Sequence, residues 1–327
     1  MRTQRFCLVL TTLFCLAVSP LVAAEGVLLK YKFSNDKPLT YRISTSLDQV
    51  QKVADQTIEV SMVNTADTLF TLNEVTEEGV FNLSSTTTRL QVTMQNPLTP
   101  PYKFDSEAEE NPKDSFLAAQ MTPIFNELQG ATLNLQLTPQ GEIVKVSGYA
   151  DLMKKLIEKV PAAAGMAGNL SDEAARKQFE EVFPTLIDQP VKQGDQWETE
   201  FTMDMGAQGS AKGKKIFTVK GPSELDGLKT FELNVRHEVE IDIDVKQGLS
   251  SIEGKMKTKD SQGTIHFDPE TGEVIKIDNQ YLVIGNMKIS SMGQVQVVET
   301  TQDHHIQVLL LKETTDSKGL IYLTSNK

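Results

Sequence analysis

Apolar and polar residues alternate with period two along most of this chain and switch to a helical period only in short stretches. The clearest alternation is VRHEVEIDIDV. Val235, His237, Val239, Ile241, Ile243 and Val245 share one face, and Arg236, Glu238, Glu240, Asp242 and Asp244 share the other. That pattern predicts an antiparallel strand with one buried and one wet face. More strands are predicted within 281–300 and 306–311. Tyr149, Leu152, Met153, Leu156, Ile157 and Val160 recur at helical spacing, which predicts an amphipathic helix over 148–160 stopped by Pro161. PAAAGMAGNL (161–170) reads as a flexible connection of small residues. Ser171 then caps a second helix ending at Pro184, with Asp172 and Glu173 in its first turn and Phe179, Val182 and Phe183 on its apolar side. Residues 116–128 are also helical by period, with a break and fresh start predicted at Thr122-Pro123. The Pro- and acid-rich NPLTPPYKFDSEAEENPKD before them reads as a loop.

Several strand–turn–strand signals occur twice in the same order. LTPQGEIVKV (137–146) is echoed by FDPETGEVIKI (267–277), each with Pro early in the turn and Gly where positive φ is wanted. FTLNEVTEEGVFNL (70–83) is echoed by FTVKGPSELDGLKTFEL (217–233), and FSNDKPLTYRI (33–43) by VKQGDQWETEF (191–201). Three echoes in one order predict a duplicated β unit. The expected fold is mainly β (α+β), with two related curved antiparallel units joined and covered by a few helices. Residues 25–148 form the first unit, with an inserted helix at about 114–129. Residues 149–187 form a helical connector and 188–327 the second unit.

The first residues change where such a protein is expected to work. Arg2 and Arg5 precede an apolar run over 6–18, shorter than the ~20 residues a membrane span needs, and Val22-Ala23-Ala24 supplies small residues for cleavage. Residues 1–24 therefore read as a signal peptide, and the protein as exported to the periplasm or beyond, with no membrane span after cleavage. Both cysteines, Cys7 and Cys15, fall inside this segment, which leaves neither disulfide nor thiolate ligand downstream. The formal net charge of −12 makes nucleic acid an improbable partner, because the phosphate backbone is repelled.

Candidate chemistry is sparse. MGAQGSAKGKKIF (205–217) has the wrong Gly-to-Gly-Lys spacing for a phosphate loop and reads as a mobile hairpin loop. Ser34-Asn35-Asp36-Lys37 fits Ser-x-x-Lys but lies in a polar turn between strands. Adjacent His304 and His305 point to opposite faces of a strand, while His237 and His266 read as structural, so no metal site is expected. Asp242 and Asp244 read as a solvated strand face. Trp197, the single tryptophan, reads as a core anchor, with ligand stacking as the functional alternative.

Tyr31-Lys32-Phe33, Leu39-Thr40-Tyr41, Tyr102-Lys103-Phe104-Asp105-Ser106, the LTPQGEI turn, Phe183-Pro184 and PVKQGDQW (190–197) together resemble an uncharacterised family of exported bacterial envelope proteins, a domain of unknown function. The resemblance covers most of the chain after residue 24 and implies no activity. At the level of fold alone, the pattern is also similar to periplasmic half-barrel lipoprotein carriers. The expected function is a non-enzymatic envelope binding protein without catalytic residues or cofactor. It would shelter a lipid or other apolar ligand between the sheet and the helices at 116–128 and 148–160. Trp197, Tyr149, Met153, Ile157 and Phe125 are the candidate contacts. The alternatives are a scaffold module that binds another envelope protein, and a hydrolase without a recognisable motif.

Overall fold

The computed structural model describes residues 26–161, 163, 172–204, 209–247, 250–291, 294–315 and 321–324. The predicted signal peptide, most of the small-residue connection, and Ser171 lie outside them. The chain is mainly β, a single open antiparallel sheet with three helices among the described residues. In chain order the elements are β1 (Leu39–Val53), β2 (Gln56–Val75), β3 (Phe81–Asn96), β4 (Thr99–Asp105), α1 (Phe116–Leu128), β5 (Thr132–Leu137), β6 (Ile143–Ser147), α2 (Tyr149–Lys159), α3 (Asp172–Val182), β7 (Gln196–Asp204), β8 (Gly209–Leu225), β9 (Leu228–Gln247), β10 (Ser250–Asp268), β11 (Glu273–Ser291), β12 (Gln294–Thr315) and β13 (Ile321–Thr324). No helix among the described residues is long and apolar enough to cross a membrane.

The strands lie in the order β6-β5-β3-β2-β1-β12-β11-β10-β9-β8-β7, with β4 on β3 and β13 on β12 off this path. Neighbouring pairs are successive strands with two exceptions, one of which is β3 with β5, paired from Phe81↔Leu137 to Thr86↔Thr132 across β4 and α1. β1 pairs with β12 from Thr40↔Leu311 to Val53↔Val298, which stitches the beginning of the chain to its end. Period-two burial follows from the alternation. On β3, Phe81, Leu83 and Ser85 are buried while Asn82 and Ser84 are not. Register shifts occur in six of the ladders, among them four single-residue skips in the echoed hairpins. Val144 is skipped between Leu137↔Ile143 and Gln136↔Lys145, and Ile275 between Phe267↔Val274 and His266↔Lys276. Asn73 is skipped beside Leu72↔Leu83, and Lys220 beside Val219↔Leu233.

The main core lies on one face of this sheet, closed by the end of α3. Phe183 is fully buried and meets four rings edge-on: Phe70 at 5.0 Å, Tyr31 at 5.6 Å, Phe33 at 6.0 Å and Tyr41 at 6.1 Å. The segment before β1 clasps two turns. Tyr31 N–H donates to Pro139 O at 2.8 Å and Lys32 N–H to Gly272 O at 3.2 Å, while the Tyr31 hydroxyl donates to Pro184 O at 3.0 Å. These contacts need glycine. Gly141 (φ +83) and Gly272 (φ +72) are left-handed, and a Cβ on Gly141 would lie 2.4 Å from the Tyr31 ring.

Two of the predicted local features are corrected. The segment read as a loop before residue 116 contains β4, because Tyr102 and Phe104 alternate inward and pack with Leu90, Val92 and Phe125. α1 is one helix, with Pro123 inside it. The preceding Thr122 is anchored instead, accepting from the Tyr102 hydroxyl at 3.0 Å and donating to Pro112 O at 2.8 Å. Ser115 caps α1 by accepting from Ala118 N–H at 3.0 Å.

Phe183→Ala removes the ring shared by all these contacts, and is expected to lower the unfolding free energy by about 3–5 kcal/mol. Urea denaturation followed by far-ultraviolet circular dichroism measures it.

Candidate functional site

A partly open, largely apolar pocket of about 310 Å³ lies between the inner face of the sheet and the helices. Its apolar wall is built by Ile43 on β1, Leu90 on β3, Leu133 on β5, Leu152 on α2, Phe179 and Val182 on α3, and Ile306 on β12. Hydroxyls of Thr45, Thr68, Ser85 and Thr87 interrupt that wall, and Asn64, Gln178 and Glu181 bring the larger polar groups. Two wider depressions, about 640 and 710 Å³, lie along β9 and β10, where the ladder between them is interrupted from Lys257↔Glu240 to Thr264↔Asn234. Their rims carry charges already engaged with one another, such as Lys214 with Glu198 and Lys212 with Glu240, both at 3.0 Å. We place the candidate site in the smaller pocket, because it is the most closed and most apolar of the three, and apolar walls are what hold a small molecule out of water.

One end of α3 carries a polar wall. Lys215 lies on the inner face of β8 by the alternation Ala211, Gly213, Lys215, Phe217. Its ammonium donates to Glu181 Oε1 at 2.7 Å and to the Glu180 carbonyl at 3.3 Å, which caps the negative end of α3. Burial pushes the Glu181 carboxyl up, but the Lys215 ammonium outweighs it and the group titrates below its ordinary range. Beyond it three rings stack across the sheet: His237 on Tyr281 at 5.0 Å and Tyr281 on His304 at 4.7 Å. β10 runs between β9 and β11, yet it permits the first contact because Ser261 turns its hydroxyl to accept from His237 N–H at 2.8 Å. Thr258 does the same for Val239 N–H, also at 2.8 Å. His237 is 2% exposed, and desolvation lowers its pKa to about 4.

Of the residues predicted as contacts, the cavity takes one. Tyr149, at the start of α2, lines it, and burial raises its phenol to about 12. Met153 and Ile157 pack instead with Ile124, Leu156 and Ala163, between α2 and α1. Phe125 packs 5.3 Å from Phe104 in the satellite core under α1. Trp197 stacks on Phe217 at 5.1 Å, donates its indole N–H to Thr185 O at 2.9 Å, and packs, partly buried, against the main core. The stretch read as a hairpin loop is strand β8 from Gly209 onward. Its glycine spacing is strand packing, since a Cβ on Gly213 would lie 2.2 Å from Glu238 O. His304 faces inward and His305 outward, the latter 2.7 Å from Asp278 Oδ1. Among the described residues no group of three or more His, Cys, Asp or Glu is placed to hold a metal ion. Glu181, Lys215 and Asn64 were missed as site residues. The alternation Met62, Asn64, Ala66, Thr68, Phe70 places Asn64 on the inner face, and that much was legible.

Fold and site define a β-rich protein whose single open sheet and helices flank an amphipathic pocket. A model described as "Family of unknown function (DUF6263)" matches residues 78–274, more than half of the 327-residue chain. The chain belongs to that family, in keeping with the resemblance in its motifs. None of the curated proteins matches it. Solved structures with some likeness include a mutant Rh. blastica porin (8% identity, TM-score 0.20, 82% of this chain and 100% of that one). Pseudomonas aeruginosa OpdL (7%, 0.20, 85% and 100%) and the P. aeruginosa MucA/MucB complex (8%, 0.16, 80% and 88%) are two more. At these TM-scores the likeness carries no argument.

His237 stays neutral in the fold down to about pH 4 but gains a proton near 6.5 when unfolded, so protons favour the unfolded chain. Stability is expected to fall as the pH drops from about 6.5 to about 4, by up to roughly 3 kcal/mol from this residue. His237→Phe keeps a ring against Tyr281 and should flatten that part of the profile. Urea midpoints across the pH range decide it.

Proposed function

We propose that this chain is an exported, non-enzymatic binding protein of the cell envelope that shelters a lipid or other apolar ligand between sheet and helices. The pocket carries the reading: about 310 Å³, walled by aliphatic and aromatic side chains from five strands and three helices, with α1 contributing Leu128. That volume is at the lower end of small-molecule sites, which are typically apolar with a few placed polar groups. Tyr149 remains the contact carried over from the sequence. Export rests on the charge, length and small-residue pattern of residues 1–24.

The same reading includes two related β units within the continuous sheet. The echoed segments occupy matching hairpins, β2–β3 with β8–β9 and β5–β6 with β10–β11. The bulges support it: each pair of hairpins skips a residue at the same point of the echo, Asn73 with Lys220 and Val144 with Ile275.

Ala66 lies on β2 in the cavity wall, where a larger side chain would fill it. Protein purified from a bacterial periplasm is expected to carry or take up an apolar passenger at one per chain, measured by native mass spectrometry. Ala66→Phe should reduce uptake about tenfold or more with the circular dichroism spectrum unchanged. A clean apo mass with no uptake of added lipid would sink the proposal.

A further inference from the structure

Two buried acceptors in the cavity wall have no donor. Asn64 Oδ1 and Glu181 Oε2 are both shut off from solvent, both lack a hydrogen-bond partner, and both residues line the cavity. They reach it from opposite sides, Asn64 from β2 and Glu181 from α3. Buried acceptors left this way are uncommon and are usually completed by water or a ligand. The nearby cations are already engaged. Lys215 holds Glu181 Oε1 at 2.7 Å, and Lys177 holds Glu180 Oε2 at 3.2 Å beneath the Phe201 ring. An anionic head in the cavity would therefore meet a carboxylate without a free ammonium to offset it. A cationic head would shed its water beside a carboxylate whose charge Lys215 already balances. An uncharged hydroxyl can complete one of these oxygens per proton without adding a buried charge.

We infer that the cavity selects amphiphiles with a neutral, hydroxyl-bearing head and a medium-length apolar tail, and discriminates against fatty carboxylates and alkylamines. This rests on the binding function proposed above and names its ligand class.

Isothermal titration of the purified chain at pH 7.5 with 1-decanol, 1-monodecanoylglycerol, decanoate and decylamine tests it, each ligand below its micellar concentration. The two hydroxyl compounds are expected to bind at least about tenfold tighter than either ion, since one buried hydrogen bond against one unpaired charge separates them. Asn64→Leu replaces an acceptor with a side chain of similar size. It should shrink that preference about fivefold or more, with tail-driven affinity retained and near-ultraviolet circular dichroism checking the fold. Equal or tighter binding of decanoate or decylamine overturns the inference while leaving an apolar-binding protein in place. An undiminished preference in folded Asn64→Leu overturns the assignment of the head-group site. Failure of all four ligands to bind overturns both this inference and the function on which it rests.

Discussion

The ring of Phe183 is the contact on which the arrangement of the molecule depends. It terminates α3, and edge-to-face contacts bind it to rings from β1, β2 and the segment before β1. An open antiparallel sheet this wide has one apolar face that cannot be left to water. α3 covers part of that face, and Phe183 sets how close the helix approaches. The Tyr31 hydroxyl holds the next carbonyl, Pro184 O, so the clasp before β1 and the end of the helix are locked to the same place. Because Tyr31 and Lys32 also bond the turns at Pro139 and Gly272, one short segment ties α3 to the β5–β6 and β10–β11 hairpins.

Phe179 and Val182 continue that packing, but Glu181 on the same turn does not, and the cavity exists where the packing stops. A carboxylate there is tolerated because Lys215 answers it across the sheet while also capping the helix carbonyl at Glu180. The bulged course of β10 serves the neighbouring wall. By spending the Ser261 and Thr258 hydroxyls on backbone N–H groups, it frees the inner face for the stacked rings of His237, Tyr281 and His304. Apolar body and polar end of the cavity thus come from different parts of the chain, with α3 common to both.

The chain's own pattern determined a good deal. Alternation identified the strands because a half-buried sheet must alternate, and VRHEVEIDIDV lies within β9 with His237 buried as its face requires. The helical period and Gly148 located α2 to within a residue. The Pro–Gly turns were readable because only a few residue types adopt the required φ, as at Gly141 and Gly272. β4 was hidden by Pro100 and Pro101, since proline signals a loop except at a sheet edge, and only pairing with β3 made an edge there. Tertiary structure alone decided the rest. Whether Met153 or Tyr149 lines a cavity depends on which side of α2 meets α1 and which meets the sheet, and both sides are apolar. The pairing of β1 with β12, the meeting of Glu181 with Lys215, and the seating of Phe183 each join residues distant along the chain. A period shows that a side chain is buried; only the packed molecule fixes what it is buried against.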